Sequence, residues 1–151
     1  MNRGTELHRA GDLELANEYY LQSVTTLEEL ANEKPELIEH HICLGEVHHR
    51  LGLVRRKLKR YDLALADFQQ AIEDQLVAFH SSPKKDPYRH LLRRHFQGLS
   101  LVCASFTRPD AAVLTSVENR AVWPDDPEEL YFVACTLADC EPLLADRSDA
   151  P

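Results

Sequence analysis

The densest run of chemically competent side chains lies between residues 39 and 49: Glu39, His40, His41, Cys43, Glu46, His48 and His49. Imidazole, thiolate and carboxylate are the usual ligands of zinc-class metals, so spacing decides what this run can do. His40 and Cys43 are three apart and share a helix face. His41 and His48 also share one, but two turns separate them, too far for a single ion. No H-E-x-x-H or comparable pattern occurs. The histidines read as packing or solvent-facing residues, and neither a metal nor a cofactor is expected.

Catalytic constellations are equally lacking. The carboxylate pairs Glu28-Glu29 and Glu128-Glu129 fall on helix surfaces or first turns, where solvation and the helix dipole account for them. There is no glycine-rich phosphate cradle, and no serine or threonine has an activating base in a recognisable motif. The sequence does not predict an enzyme. Its strongest local feature is electrostatic: Arg50, Arg55, Arg56, Lys57, Lys59 and Arg60 crowd one short stretch, and Lys84, Lys85, Arg89, Arg93 and Arg94 form a second cluster. Two readings stay open, a solvated face balanced by acidic neighbours or a basic wall for an acidic partner. Nucleic acid is disfavoured by the net charge of −8 and by the want of an aromatic stacking platform.

The elements that must carry these residues emerge from a repeat. Ala16, Ala64 and Ala112 are 48 residues apart, and the same shift superposes Gly4 on Gly52 and Ser100, Tyr20 on Phe68, Val24 on Ile72 and Pro35 on Pro83. Ala64, Phe68 and Ala71 lie on one helical stripe, small–large–small, as close helix packing requires. The third copy is weaker, with Ser116 and Arg120 where Phe68 and Ile72 stand. The pattern predicts a first helix ending at Ala10, a turn at Gly11 and a second helix capped by Asp12 that runs to about Glu33. Pro35 interrupts. A third helix follows over about Glu36–Leu58, then a fourth over about Tyr61–Phe79. His80–Pro87 reads as a loop because of its Ser and Pro breakers. A fifth helix is expected over about Tyr88–Phe106, a sixth to about Val122, and a short one over 127–139 covering the open end of the stack.

Leu51-Gly52 followed by Tyr61, Ala64, Phe68 and Ala71 resembles the tetratricopeptide repeat, as does Gly11-Asp12-Leu13-Glu14-Leu15-Ala16 followed by Tyr20. The family unit is a helix-turn-helix of about 34 residues, so the longer period here must extend the second helix and the connection after it. The resemblance implies an all-α fold: a right-handed solenoid of helical hairpins, three helix pairs plus a C-terminal capping helix. Gly4, Ala16, Tyr20, Leu51, Gly52, Ala64, Phe68, Ala71 and Ala112 would be its packing positions. It also implies that the first helices of successive pairs line a concave peptide groove. Carried over residue by residue, that groove would be faced by His8, Arg9, Glu46, His49, Leu53, Arg56, Lys57, Arg94, Gln97 and Leu101. The Lys/Asn carboxylate clamp of chaperone-tail-binding members is absent, since His49 and Leu53 stand at its second-repeat positions. The long period and the Leu130-Tyr131-Phe132-Val133-Ala134-Cys135 segment are similar to repeat tails that follow bacterial eukaryotic-like serine/threonine kinase domains. The missing opening of the first helix is expected to lie in a longer parent upstream. No kinase motif is present.

Composition agrees with a helical protein: 44% hydrophobic, 28% charged and only five glycines in 151 residues. The helical-repeat domain is expected over 1–140, with repeats at about 1–35, 36–83 and 84–124, and a disordered tail over 141–151. No apolar run approaches the length of a membrane span, and the N-terminus has no signal-peptide pattern. The four cysteines lack metal-type spacing and read as reduced thiols of a cytoplasmic protein. The expected function is a non-catalytic protein-interaction module that takes a protein or acidic-peptide partner in a locally basic groove. The alternative is a structural spacer or homodimerisation segment of a larger signalling protein.

Overall fold

A computed structural model describes residues 3–82, 86–105 and 122. Among the described residues five helices follow one another: α1 (Arg3–Ala10), α2 (Leu13–Glu33), α3 (Ile38–Lys57), α4 (Tyr61–Ser81) and α5 (Asp86–Ser105). The described residues contain no strand and no helix long and apolar enough to cross a membrane. The chain divides into two compact units, Met1–Gly98 and Leu99–Pro151, and the division falls inside α5. Apart from the last turns of α5 and Val122, the described residues belong to the first unit. The expected sixth helix, capping helix and tail, with Ala112, lie outside the described residues.

The 48-residue shift is a repeat in three dimensions. A Cβ built on Gly4 would meet the Tyr20 ring at 2.7 Å, and one on Gly52 would meet the Phe68 ring at 2.8 Å. Both aromatic residues are fully buried, as are Ala16 and Ala64 at the equivalent α2 and α4 positions. Only a residue without a side chain lets each aromatic ring lie directly on the neighbouring backbone, which explains why α3 tolerates a mid-helix glycine that costs about 1 kcal/mol in propensity. Phe68 is covered from a third side as well, because Gly98 of α5 also abuts its ring. Gly45 does the same service nearby: an added Cβ would lie 3.1 Å from the Ala71 carbonyl and 3.5 Å from Nε2 of His95.

The two hairpin turns repeat too. After α1, Gly11 N–H donates to the His8 carbonyl and Asp12 N–H to the Leu7 carbonyl. After α3, Lys59 N–H donates to Arg56 and Arg60 N–H to Arg55. These are the paired bonds of a Schellman helix end, which needs one residue in the left-handed region. Gly11 takes it at φ +89° and Lys59 at φ 60°. Asp12 stands at the N-cap of α2 as expected, but its side chain makes no capping bond. The neighbouring turn supplies the order instead.

α3 is central. Its Leu44, Val47, Leu51 and Val54 form a buried cluster with Ala16, Tyr20 and Val24 of α2, while its other side meets α4. The connection before α5 is shorter than its Ser and Pro breakers predict. α4 continues through His80 to Ser81, and α5 begins at Asp86 with Pro87 in its first turn, where a missing N–H costs nothing.

Candidate functional site

The odd-numbered helices share a polar network. Arg50 of α3 donates from Nη1 to Thr5 Oγ1 of α1 at 3.1 Å and from Nη2 to Glu46 Oε1 at 2.8 Å. Glu46 accepts a second guanidinium, Arg94 of α5, on its other oxygen. One carboxylate thus ties α3 to α5, and one arginine ties α3 to α1. Thr5 in turn hydrogen-bonds the Tyr20 hydroxyl at 3.3 Å, anchoring the network to the packed interior.

Of the expected groove positions, the structure brings Glu46 and Arg94 together on this surface. His8 lies near them in the electrostatic sense: burial, then Lys57, then Arg50, push its pKa down from the usual histidine value. Its Nε2 is buried without a hydrogen-bond partner. Arg9 and Lys57 are exposed, Leu53, Arg56 and Gln97 half-buried. Leu101 is half exposed but falls in the second unit.

His49 turns inward. It is 7% exposed, its ring meets the Phe68 ring edge-on at 5.2 Å, and its Nδ1 lies 3.2 Å from Nδ1 of the fully buried His95. One of these rings carries its proton on Nδ1 and donates to the bare Nδ1 of the other. Burial depresses both, His49 to about 4 with help from Arg94, and His95 to about 2 with help from His49. The pair is an interior hydrogen bond between α3 and α5, and at neutral pH it is uncharged.

The basic cluster is partly neutralised from within. Arg50 is held by Glu46, and Arg60 pairs with Glu14 at 2.8 Å. Arg55 lies inside the fold, donating to Asp67 Oδ1 at 2.7 Å and through Nε to Asn17 Oδ1 at 3.2 Å. Burial pushes Asp67 up to about 6 despite Arg55. The positive charge turned outward therefore narrows mainly to Arg9, Lys57 and Lys59, with the half-buried Arg56, whose Nε is enclosed, and His8 beside them. Sequence reasoning missed Arg50 and Thr5 as members of the surface network. Their signal was position, on the same helices as the predicted groove, but a Thr–Arg contact 45 residues apart has no local signature.

A second feature had no motif. An open hollow of about 650 Å³ lies between α2 and α3, with Tyr19, Leu27, Ile42, Cys43, Glu46 and Val47 in its walls. Cys43 is a free, exposed thiol there. Among the described residues no group of His, Cys, Asp and Glu is arranged to hold a metal ion.

Comparison with known proteins places the middle of this architecture. Neither the curated proteins nor the solved structures gave a match. Residues 45–75, which contain Gly52, the Lys59 turn and Phe68, match the family model of the tetratricopeptide repeat, and the chain is a helical-hairpin repeat protein similar to that family across this hairpin.

Proposed function

We propose that the chain is a non-catalytic protein-interaction module, acting in the cytoplasm, whose partner lies along the surface of α1, α3 and the first part of α5. Tetratricopeptide repeats generally mediate protein–protein contacts, and the match over 45–75 supports the same role here. The observation that carries the location is the Thr5–Arg50–Glu46–Arg94 network, which links those three helices side by side. Arg94 belongs to that scaffold. Recognition falls to Arg9, Arg56 and Lys57, whose charge suits an acidic peptide, while the α2–α3 hollow beyond Glu46 offers a seat for an apolar anchor of the same peptide. The parent we propose is a larger signalling protein of the kinase-linked kind.

Fluorescence anisotropy with a labelled acidic peptide, set against a lysine-rich peptide of equal length, tests this. Arg56→Glu with Lys57→Glu should weaken the acidic peptide by about tenfold or more at low salt, and added salt should do the same to the wild type. Unchanged affinity would remove the basic groove from the proposal.

The rival reading, self-association, has one observation of its own. Leu15 and Leu63 stand 48 residues apart on α2 and α4 and are 55% and 49% exposed. Sedimentation of Leu15→Glu with Leu63→Glu decides it: a wild-type dimer that becomes monomeric favours the rival.

A further inference from the structure

The charges inside the α3–α4 hairpin form a ladder. His41, His48 and Arg55 stand seven apart on α3, and Asp67 and Asp74 stand seven apart on α4, so each set lies along one face. Antiparallel packing matches them. At one end Arg55 meets Asp67 at 2.7 Å. At the other, Asp74 Oδ1 is 3.5 Å from His41 Nδ1 and Oδ2 is 3.9 Å from His48 Nε2. Asp67 thus has a permanent cation and Asp74 does not.

Asp74 is 7% exposed and His48 8%, and neither Asp74 Oδ2 nor His48 Nδ1 has a hydrogen-bond partner. Burial raises the Asp74 pKa above the usual carboxylate value, opposed by hydrogen bonds from His41 and Gln70. Burial, and then Arg55, lower His48 to about 4, which leaves it neutral. Beside these groups a recess of about 290 Å³ opens between α2, α3 and α4, bounded by Glu28, Asn32, His41, His48, Gln70 and Asp74. Its walls contribute two carboxylates, two amides and two imidazoles and no lysine or arginine.

We infer that this recess binds an organic cation, a guanidinium or ammonium group, held by the Asp74 and Glu28 carboxylates. A buried carboxylate without a fixed counter-charge is costly, and a cation supplied from outside would complete at Asp74 what Arg55 completes at Asp67. The planar donor fork of a guanidinium suits two carboxylates in one recess. The recess is roomier than a bare ion needs, and its ligating groups are not gathered around one point. The site stands independently of the groove on α1, α3 and α5.

The test is a titration of the full chain, labelled in its histidine rings, followed by NMR at pH 7. The probes are methylguanidinium, a capped arginine amide, a capped norleucine amide and Zn²⁺. Saturable shifts at His41 and His48 with the first two support the site. Tighter binding of capped arginine points to a side chain of a polypeptide, and equal binding to a free small cation. Asp74→Asn should abolish the shifts, and Glu28→Gln should weaken binding by about tenfold, the order of one lost charge-assisted hydrogen bond. Equal response to norleucine, a response to Zn²⁺ alone, or full affinity in a folded Asp74→Asn protein overturns the inference. Should Asp74→Asn not fold, Glu28→Gln on the exposed face of α2 decides alone, and unchanged affinity there also overturns it.

Discussion

The two hairpins of the first unit are copies in their packing and strangers in their charge. α1–α2 and α3–α4 share a glycine under an aromatic ring, Gly4 under Tyr20 and Gly52 under Phe68, and the same paired bonds in the turn. The second hairpin adds buried ionisable groups, Arg55, Asp67, His48 and Asp74. Shifted by 48, the places of Arg55 and Asp67 are held in the first hairpin by Leu7 and Tyr19, neither a basic nor an acidic residue. The repeat therefore preserves the contacts that set the distance between helices. Charge is what one copy was free to change, and it is there that the second hairpin gains its specialised features.

The ion pair offers the largest test of this contrast. Asp67→Ala should destabilise the protein by about 3–5 kcal/mol, because it strands the Arg55 guanidinium inside the fold. Writing the first hairpin's pair into the second, Arg55→Leu with Asp67→Tyr, should instead be neutral or stabilising by about 1–4 kcal/mol, since no charge then remains to be desolvated. Urea unfolding of the three proteins measures both. If the double variant loses as much as Asp67→Ala, the hairpins are not interchangeable at this site and the comparison fails.

Acid should act next, and mainly on α3, α4 and the α5 helix packed against them. His48 and His49 of α3 and His95 of α5 have folded pKa values of about 4, 4 and 2, below the usual 6.5. The unfolded chain therefore takes up protons first, and these groups withdraw stability as pH falls from about 6.5. Asp67 and Asp74, raised to about 6, work the other way: the folded state binds their protons first and gains stability between about 6 and 3.8. Three histidines outweigh two carboxylates, so the melting temperature should fall from pH 6.5 to pH 4. His95→Leu should flatten that slope, because it removes the most buried of the three along with an Nε2 that has no partner. An unchanged slope in a folded His95→Leu protein would assign the acid response elsewhere.

The contrast between the hairpins also explains what the sequence disclosed and what it hid. Packing was legible because it obeys period and size. The spacing of Ala16 and Ala64, Gly4 and Gly52, Tyr20 and Phe68 is visible in one line of text, and every one of these residues is buried as that spacing demands. Charge was not legible, because partners are set by which helix lies opposite. Arg55 reads as one of a run of surface cations, yet it meets Asp67 twelve residues on and Asn17 thirty-eight residues back. His49 reads as a groove residue because the motif register places it on the first helix of a pair, but His95 and Phe68 draw it inside. Gly98 escaped notice because it lies outside the 48-residue frame while still abutting Phe68.

The smallest test concerns the turns, where the hairpins agree in geometry but not in residue. Gly11 adopts φ +89° without cost from a Cβ, whereas Lys59 adopts φ 60° against the steric preference of an L-residue. Lys59→Gly removes that strain but admits more freedom to the unfolded chain, so the net gain should be about 0.5–1 kcal/mol. Gly11→Ala should lose about 1 kcal/mol for the converse reason, even though open space surrounds the position and no atom would clash. Opposite signs at two places 48 residues apart are the signature of one turn built twice. Two losses of equal size would mean that the Lys59 side chain contributes something its conformation costs, and the hairpins would then differ in their turns as they do in their charges.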